Sequence, residues 1–192
     1  MQARPAYESL AHLGVHRQTR QHTDPEFRVA YQWLVEQMAR RLPTDGPEAV
    51  WLWARTTWRD LAEDLRLEGR QQDSVLLEVA VPMDAALVLP FDDWHQVLNG
   101  MLHVPPLPRE TDGAWWARAE PLLDDFHRRV DAALGDKAIH ARHDRYPPGL
   151  RQELTGSWEH LFDPLTWPAG CRLQAVVHEL RAEHVVRALR YP

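Results

Sequence analysis

The sequence predicts an α+β fold: one domain over residues 1–192, with a small mixed or antiparallel sheet covered by several helices. Three stretches predict it. Val75, Leu77, Val79 and Val81 alternate along one face, the period-two pattern of a strand, and β-branched residues pack well on a pleated surface. Phe27, Ala30, Tyr31, Leu34, Val35 and Met38 recur at helical spacing and form a broad apolar stripe. Between them, Ala49 to Ala54 reads as a strand with Trp51 and Trp53 on one face.

The remaining elements follow in chain order. Residues 2–5 fit a short strand that must stop at Pro5, because proline removes a ladder donor. Tyr7, Leu10 and Leu13 then keep helical spacing up to a stop at Gly14. Arg17 and Arg20, flanked by His16 and His22, make a local basic loop, read as a solvated surface segment. Asp24 is placed to cap the helix over 25–42, with Pro25 at its first position and Pro43 ending it. After a turn at Asp45-Gly46 and the strand over 49–54, Trp58, Leu61 and Leu65 mark a short helix or a charged loop.

The strand over 74–82 ends at Pro82, and 85–90 is a second apolar run of strand length. Asp92 or Asp93 can cap the next helix, whose apolar positions are Trp94, Val97, Leu98 and Met101. Asn99-Gly100 is its stop. Residues 103–113 hold three prolines and one glycine and read as a linker inside the domain. Pro121 starts a helix over 121–134, and Tyr146 to Gly149 reads as a breaker. Ser157 caps a short helix that stops at Asp163-Pro164. Two last strands, 172–179 and 185–191, are expected to form a hairpin on the same sheet.

Composition narrows the function classes. With 44% hydrophobic and 26% charged residues, the chain is globular and not disordered. A net charge of −6 disfavours a nucleic-acid partner, which calls for a basic face. No run approaches the roughly 18 apolar residues of a membrane helix, and MQARPAYESL lacks a signal-peptide pattern. Cys171 is the one cysteine, so no internal disulfide can form. These features lead to the expectation of a soluble, intracellular protein.

Metal and cofactor motifs are missing from the text. His178 and His184 in HELRAEH stand six apart, whereas a zinc-protease helix needs histidines four apart to reach one metal. His140 and His143 have a helical spacing but no cysteine partner, which a structural zinc site usually has. Cys171 has no nucleophile signature around it. No glycine-rich phosphate loop occurs. We therefore expect no bound metal and no cofactor.

The candidate functional residues come from two oddities. Glu78 stands between Leu76 and Ala80 on a strand, where a carboxylate must be paired, solvated or in a cleft. It is the candidate catalytic residue, since burial in a cleft would suit it to acid–base work; pairing with an arginine such as Arg55 is the alternative. The second oddity is nine tryptophans. They fill a core, or some of them, Trp53, Trp94 and Trp158, wall a cleft for a planar ligand. His95 beside Trp94 is a candidate contact, because histidine titrates near neutrality.

The order of AYESLAHLGV, EFRVAYQWLVEQMARRL, VWLW, VLLEVAVP, VLPFDDWHQVLNG, SWEHLFD and LQAVVHEL resembles a bacterial domain-of-unknown-function family, number 3841. Its most specific pieces here are Ala30-Tyr31-Gln32-Trp33 with Gln37-Met38, the block from Phe91 to Asn99, and the block from Ser157 to Asp163. The resemblance implies a bacterial cytoplasmic protein and supplies no reaction and no catalytic residues. In layout alone, the chain also looks broadly like ADP-ribosyltransferase-type domains. That likeness would have Arg4 hold a phosphate, Trp53 stack on nicotinamide or base, and Glu78 orient a ribose hydroxyl. The expectation is a nucleotide-like ligand at Glu78, Arg4, Trp53, Trp94 and His95; a non-catalytic module gripping a protein partner is the alternative.

Overall fold

A computed structural model of the chain describes residues 2–19, 25–67, 69, 74–135 and 143–190, with the side chains at 2–5, 25 and 190 outside that description. The fold is α+β, built from six α-helices and small antiparallel ladders. Its elements are β1 (Gln2–Ala3), α1 (Arg4–Leu13), β2 (Val15–His16), α2 (Arg28–Arg41), β3 (Val50–Trp53) and α3 (Trp58–Leu67). They continue with β4 (Ser74–Val79), β5 (Leu87–Pro90), α4 (Phe91–Leu98), α5 (Asp112–Leu134), α6 (Pro148–Ser157), β6 (Leu173–Val177), β7 (Leu180–Arg181) and β8 (Val185–Arg190). Among the described residues, no helix is long and apolar enough to cross a membrane.

The chain divides into two compact units, one of residues 1–22, 34–88 and 172–192, the other of residues 23–33 and 89–171. Residues 103–113 fall inside the second. The expected cap Asp24 lies outside the described residues; from Pro25 the chain makes a 3-10 turn through Phe27 before α2 begins at Arg28.

In the first unit the strands form separate ladders, β1-β4-β8, β2-β7 and β3-β6-β5. The expected single sheet is corrected here: β3 and β4 belong to different sheets. The expected C-terminal hairpin is corrected as well. β6 pairs with β3, from Val50 opposite Val177 to Trp53 opposite Gln174, whereas β8 pairs with β4. The cause is the segment between them. β7 pairs with β2, a 3-10 turn over Ala182–His184 follows, and the Ala182 N–H is tied to the Gly14 carbonyl at 2.9 Å. Those bonds aim β8 away from β6.

The two faces of β4 explain its odd glutamate. Leu77 and Val79 pack with Leu10, Val50, Val177 and Leu180 in one cluster. Leu76, on the other face, is sealed by Leu61 and Leu65 of α3, with Trp53 and Trp58 at the edge. Glu78 follows two residues later on that second face, past the apolar cluster, and is exposed. A bulge sits beside it: Glu78 faces Arg187, but Val79 faces Val185. Bulges bend a strand and re-aim its side chains.

In the second unit the capping expectation is corrected: Pro90 precedes α4, and Asp92 and Asp93 lie in its first turn without capping it. Helix α5 starts nine residues before the expected Pro121, because Thr111 caps it by accepting from the Ala114 N–H at 3.3 Å. Pro121 lies inside that helix. The supposed breaker Pro147-Pro148 instead opens α6, where proline suits the first turn; Ser157 closes α6 and stands, without a side-chain capping bond, before the expected short helix, a 3-10 segment over Trp158–Phe162 that ends at Asp163. The core here is aromatic. Trp33 meets Trp158 edge-on at 5.4 Å and stacks on Phe162 at 5.7 Å. At Gly100, with φ of +64°, the His143 ring occupies the place a Cβ would take, so only glycine fits.

Candidate functional site

Three polar sites stand out, each within one unit. The first is the cleft beside β4. Trp53, Trp58, Thr56, Thr57 and Glu78 line a volume of about 210 Å³. Helix α3 enters it by its N-terminus, where Thr57 Oγ1 accepts from the Asp60 N–H at 3.2 Å. Two arginines lie over the rings: Arg172 is 6.0 Å from the Trp53 centroid, and Arg187 is 5.3 Å from that of Trp58. Glu78 makes no ion pair among the described residues, although Arg187 stands opposite it in register.

The structure thus brings Trp53 and Glu78 together, from strands of two different sheets. Arg4 opens α1, one residue after the β1 partner of Ser74, and its side chain lies outside the described residues. Trp94 and His95 belong to the second unit. Trp94 is 2% exposed and meets Tyr31 edge-on at 5.5 Å. His95 is exposed, and its Nδ1 donates to the Phe91 carbonyl at 2.8 Å.

The second site is a carboxylate held by two arginines in the first unit. Glu179 accepts from Arg17 Nε at 2.8 Å and Nη2 at 2.5 Å, and from Arg181 Nε at 2.6 Å. The Arg17 hydrogen bonds, and then those of Arg181, outweigh burial and hold its pKa below the usual carboxylate range. Next to it His178 is fully buried, with Nδ1 3.3 Å from Thr44 Oγ1. The two arginines occupy the Glu179 oxygens, which is the behaviour of a structural pair, whereas His178 Nε2 has no hydrogen-bond partner among the described residues.

The third site is a cavity of about 530 Å³ in the second unit, lined by Asp93, His103, Leu107, Arg109, Trp115 and Trp167 among others. The proline-rich 103–113 stretch, expected as a linker, is one of its walls and is pinned to α5. Trp115 Nε1 donates to the Val104 carbonyl at 2.7 Å. Arg118 grips Glu110 through Nε at 2.9 Å and Nη2 at 2.7 Å, and also reaches the Pro105 carbonyl at 2.8 Å. Glu110 accepts from the Leu107 N–H as well, at 2.8 Å. These bonds, led by Arg118, hold the Glu110 pKa down to about 2. At the loop tip Arg109 has a φ of +64°, a left-handed conformation that costs a non-glycine residue roughly 1 kcal/mol and marks an over-determined segment.

A family model described as Domain of unknown function (DUF3841) matches residues 1–186. The chain belongs to that family. No curated protein and no solved structure matches it.

Within this DUF3841 chain, sequence reasoning missed the chemistry of Asp93 and His103. Burial, followed by the neighbouring charge of Asp92, pushes the Asp93 carboxyl up to about 6. Burial, and then His160, pushes His103 down to about 4. The available signal for Asp93 was redundancy, since a helix start needs one capping carboxylate and this one has two. His103 sat in a stretch read as loop and gave none. Among the described residues, no three of His, Cys, Asp and Glu converge as metal ligands would.

Proposed function

We propose that this protein binds a small, planar, nucleotide-like ligand in the Trp53–Trp58–Glu78 cleft. One observation carries the reading: Glu78 and Trp53, far apart in sequence, line the same cleft with a second indole. An indole face left open stacks on a base whatever its identity, and Arg172 and Arg187, each over one of the rings, supply charge for a phosphate. Glu78 accepts hydrogen bonds from a ribose hydroxyl or an exocyclic amine. The cleft, at about 210 Å³, is smaller than the roughly 300–1,000 Å³ of pockets that swallow a whole drug-sized molecule. It therefore takes one base with its ribose and leaves the remainder of a dinucleotide outside.

The broad likeness in layout that the sequence bears to ADP-ribosyltransferase-type domains makes a nicotinamide dinucleotide the first ligand to try, with Glu78 on the ribose. Titration of the full chain with NAD, AMP and adenosine, followed by tryptophan fluorescence, is the test. Saturable quenching that Glu78→Gln weakens at least tenfold is expected. No saturable change with any of the three at millimolar concentration sinks the proposal and favours the protein-interaction alternative.

A further inference from the structure

The cavity in the second unit has a different chemistry from the nucleotide cleft. Its walls are largely apolar: Val104, Leu107, Leu165 and the rings of Trp115 and Trp167. Both indole N–H groups are already spent on backbone carbonyls, Trp115 on Val104 at 2.7 Å and Trp167 on Leu161 at 3.0 Å. Each ring is thereby fixed in orientation and offers a ligand its π surface, not a donor.

Beside Gln96, Arg109 and Thr166, two polar groups on the cavity wall stand as acceptors. Asp93 is 7% exposed, lies on the cavity wall and has no ion pair or side-chain hydrogen bond among the described residues. His103 is 4% exposed, and its Nδ1 has no hydrogen-bond partner among the described residues. Its backbone N–H is taken by Ser157 Oγ at 3.0 Å. The other charged groups do not change this balance. Glu110 is neutralised by Arg118, whereas Asp112 and the exposed Arg109 offset each other at the rim. What remains is one buried carboxylate without a counter-ion, between aromatic walls. An isolated buried carboxylate is costly until a cation pairs with it, and an aromatic face attracts a cation through its quadrupole.

We infer that this cavity binds a small organic cation, a protonated amine on an aromatic or aliphatic body, with Asp93 as its counter-ion and Trp115 and Trp167 as its walls. The ammonium has three donors to place. The Asp93 carboxylate takes one or two, and His103, kept neutral at physiological pH by its burial, has a ring acceptor for another. The apolar body fills the space toward Leu107 and Leu165. With about 530 Å³, the cavity has room for a single-ring amine together with ordered water.

Calorimetric titration of the full chain with phenethylamine and with 2-phenylethanol tests this, because the two probes share a shape and differ in charge. The amine is expected to bind at least tenfold more tightly, and Asp93→Asn to abolish that preference while leaving the weak binding of the alcohol. Equal affinity for the two probes, binding of neither, or a preference that survives in Asp93→Asn overturns the assignment. Should Asp93→Asn fail to fold, Trp167→Leu on the half-buried wall serves in its place. A fivefold or larger loss of amine affinity supports the site, and unchanged affinity refutes it. None of these outcomes depends on nucleotide binding in the other unit.

Discussion

Glu179 and Asp93 are each 7% exposed, yet their surroundings push them in opposite directions. Glu179 has two guanidinium groups on its oxygens and titrates below its ordinary range. Asp93 has none among the described residues and rises to about 6. At the same solvent exposure, a carboxylate is a stable anion in one place and a reluctant one in the other, where it also lies deeper. Burial sets how large the penalty is, and the partner decides whether it is felt. A carboxylate that already holds its cations is finished structure, whereas one that lacks them is available to a ligand.

The largest expected effect comes from making Glu179 resemble Asp93. The double change Arg17→Ala with Arg181→Ala strands a buried anion and should cost about 3 kcal/mol of stability at pH 7, read from urea denaturation. A loss under 1 kcal/mol would mean that solvent screens the pair, since both arginines are half exposed, and the contrast would collapse.

Making Asp93 indifferent to charge comes next. Its folded pKa, about 6, lies above the ordinary 3.8, so the ionised form is disfavoured by folding. The penalty is absent below pH 3.8, grows as pH rises toward 6 and is complete above it. Asp93→Asn should therefore stabilise the protein by roughly 3 kcal/mol at pH 8 and by only about 0.5 kcal/mol at pH 4. Glu179 has the opposite sign: its contribution is complete above pH 4.5 and is lost as pH falls through its lowered folded value. Acidification from pH 7 to 5 relieves Asp93 but charges His103 in the unfolded chain, which opposes it, so the readout is the difference between wild type and Asp93→Asn: a gap in denaturation midpoint that does not narrow over that interval contradicts the assignment.

The smallest effect belongs to Glu78, which is exposed and makes no ion pair among the described residues. Glu78→Gln should shift stability by less than about 0.5 kcal/mol in a thermal melt. That near-silence is what makes it a clean probe of ligand binding.

Much of this architecture was legible in the residues. Alternation at Val75 to Val79 and the Trp51–Trp53 pattern read as strands, and α2 announced itself by its stripe. What local pattern does not encode is the partner of a strand. Leu173 to Val177 and Val185 to Arg190 were readable as strands, but nothing in them says that the Ala182 N–H will bond to Gly14 and send them to different sheets. Prolines misled twice, at Pro121 and Pro147-Pro148, because the same ring ends one helix, opens another and is tolerated in a third. At the sites, Glu78 was conspicuous because it broke an apolar pattern. Asp93 was hidden because a carboxylate at a helix start already has a conventional explanation.

The segment Leu173–Arg190 supplies a strand to every ladder of the first unit, with β6 beside β3, β7 beside β2 and β8 beside β4. Synthesis is vectorial, so a ribosome has made every residue up to 172 before any of those ladders can be completed. Until then β3 and β4 are open edges, the kind of strand that other chains can join. Pairings this distant along the chain also form slowly, since loop closure must precede the contacts that reward it. The nascent protein therefore passes through an interval in which the first unit waits on one late eighteen-residue stretch, and protection of those edges during translation is a demand that this topology places on the cell.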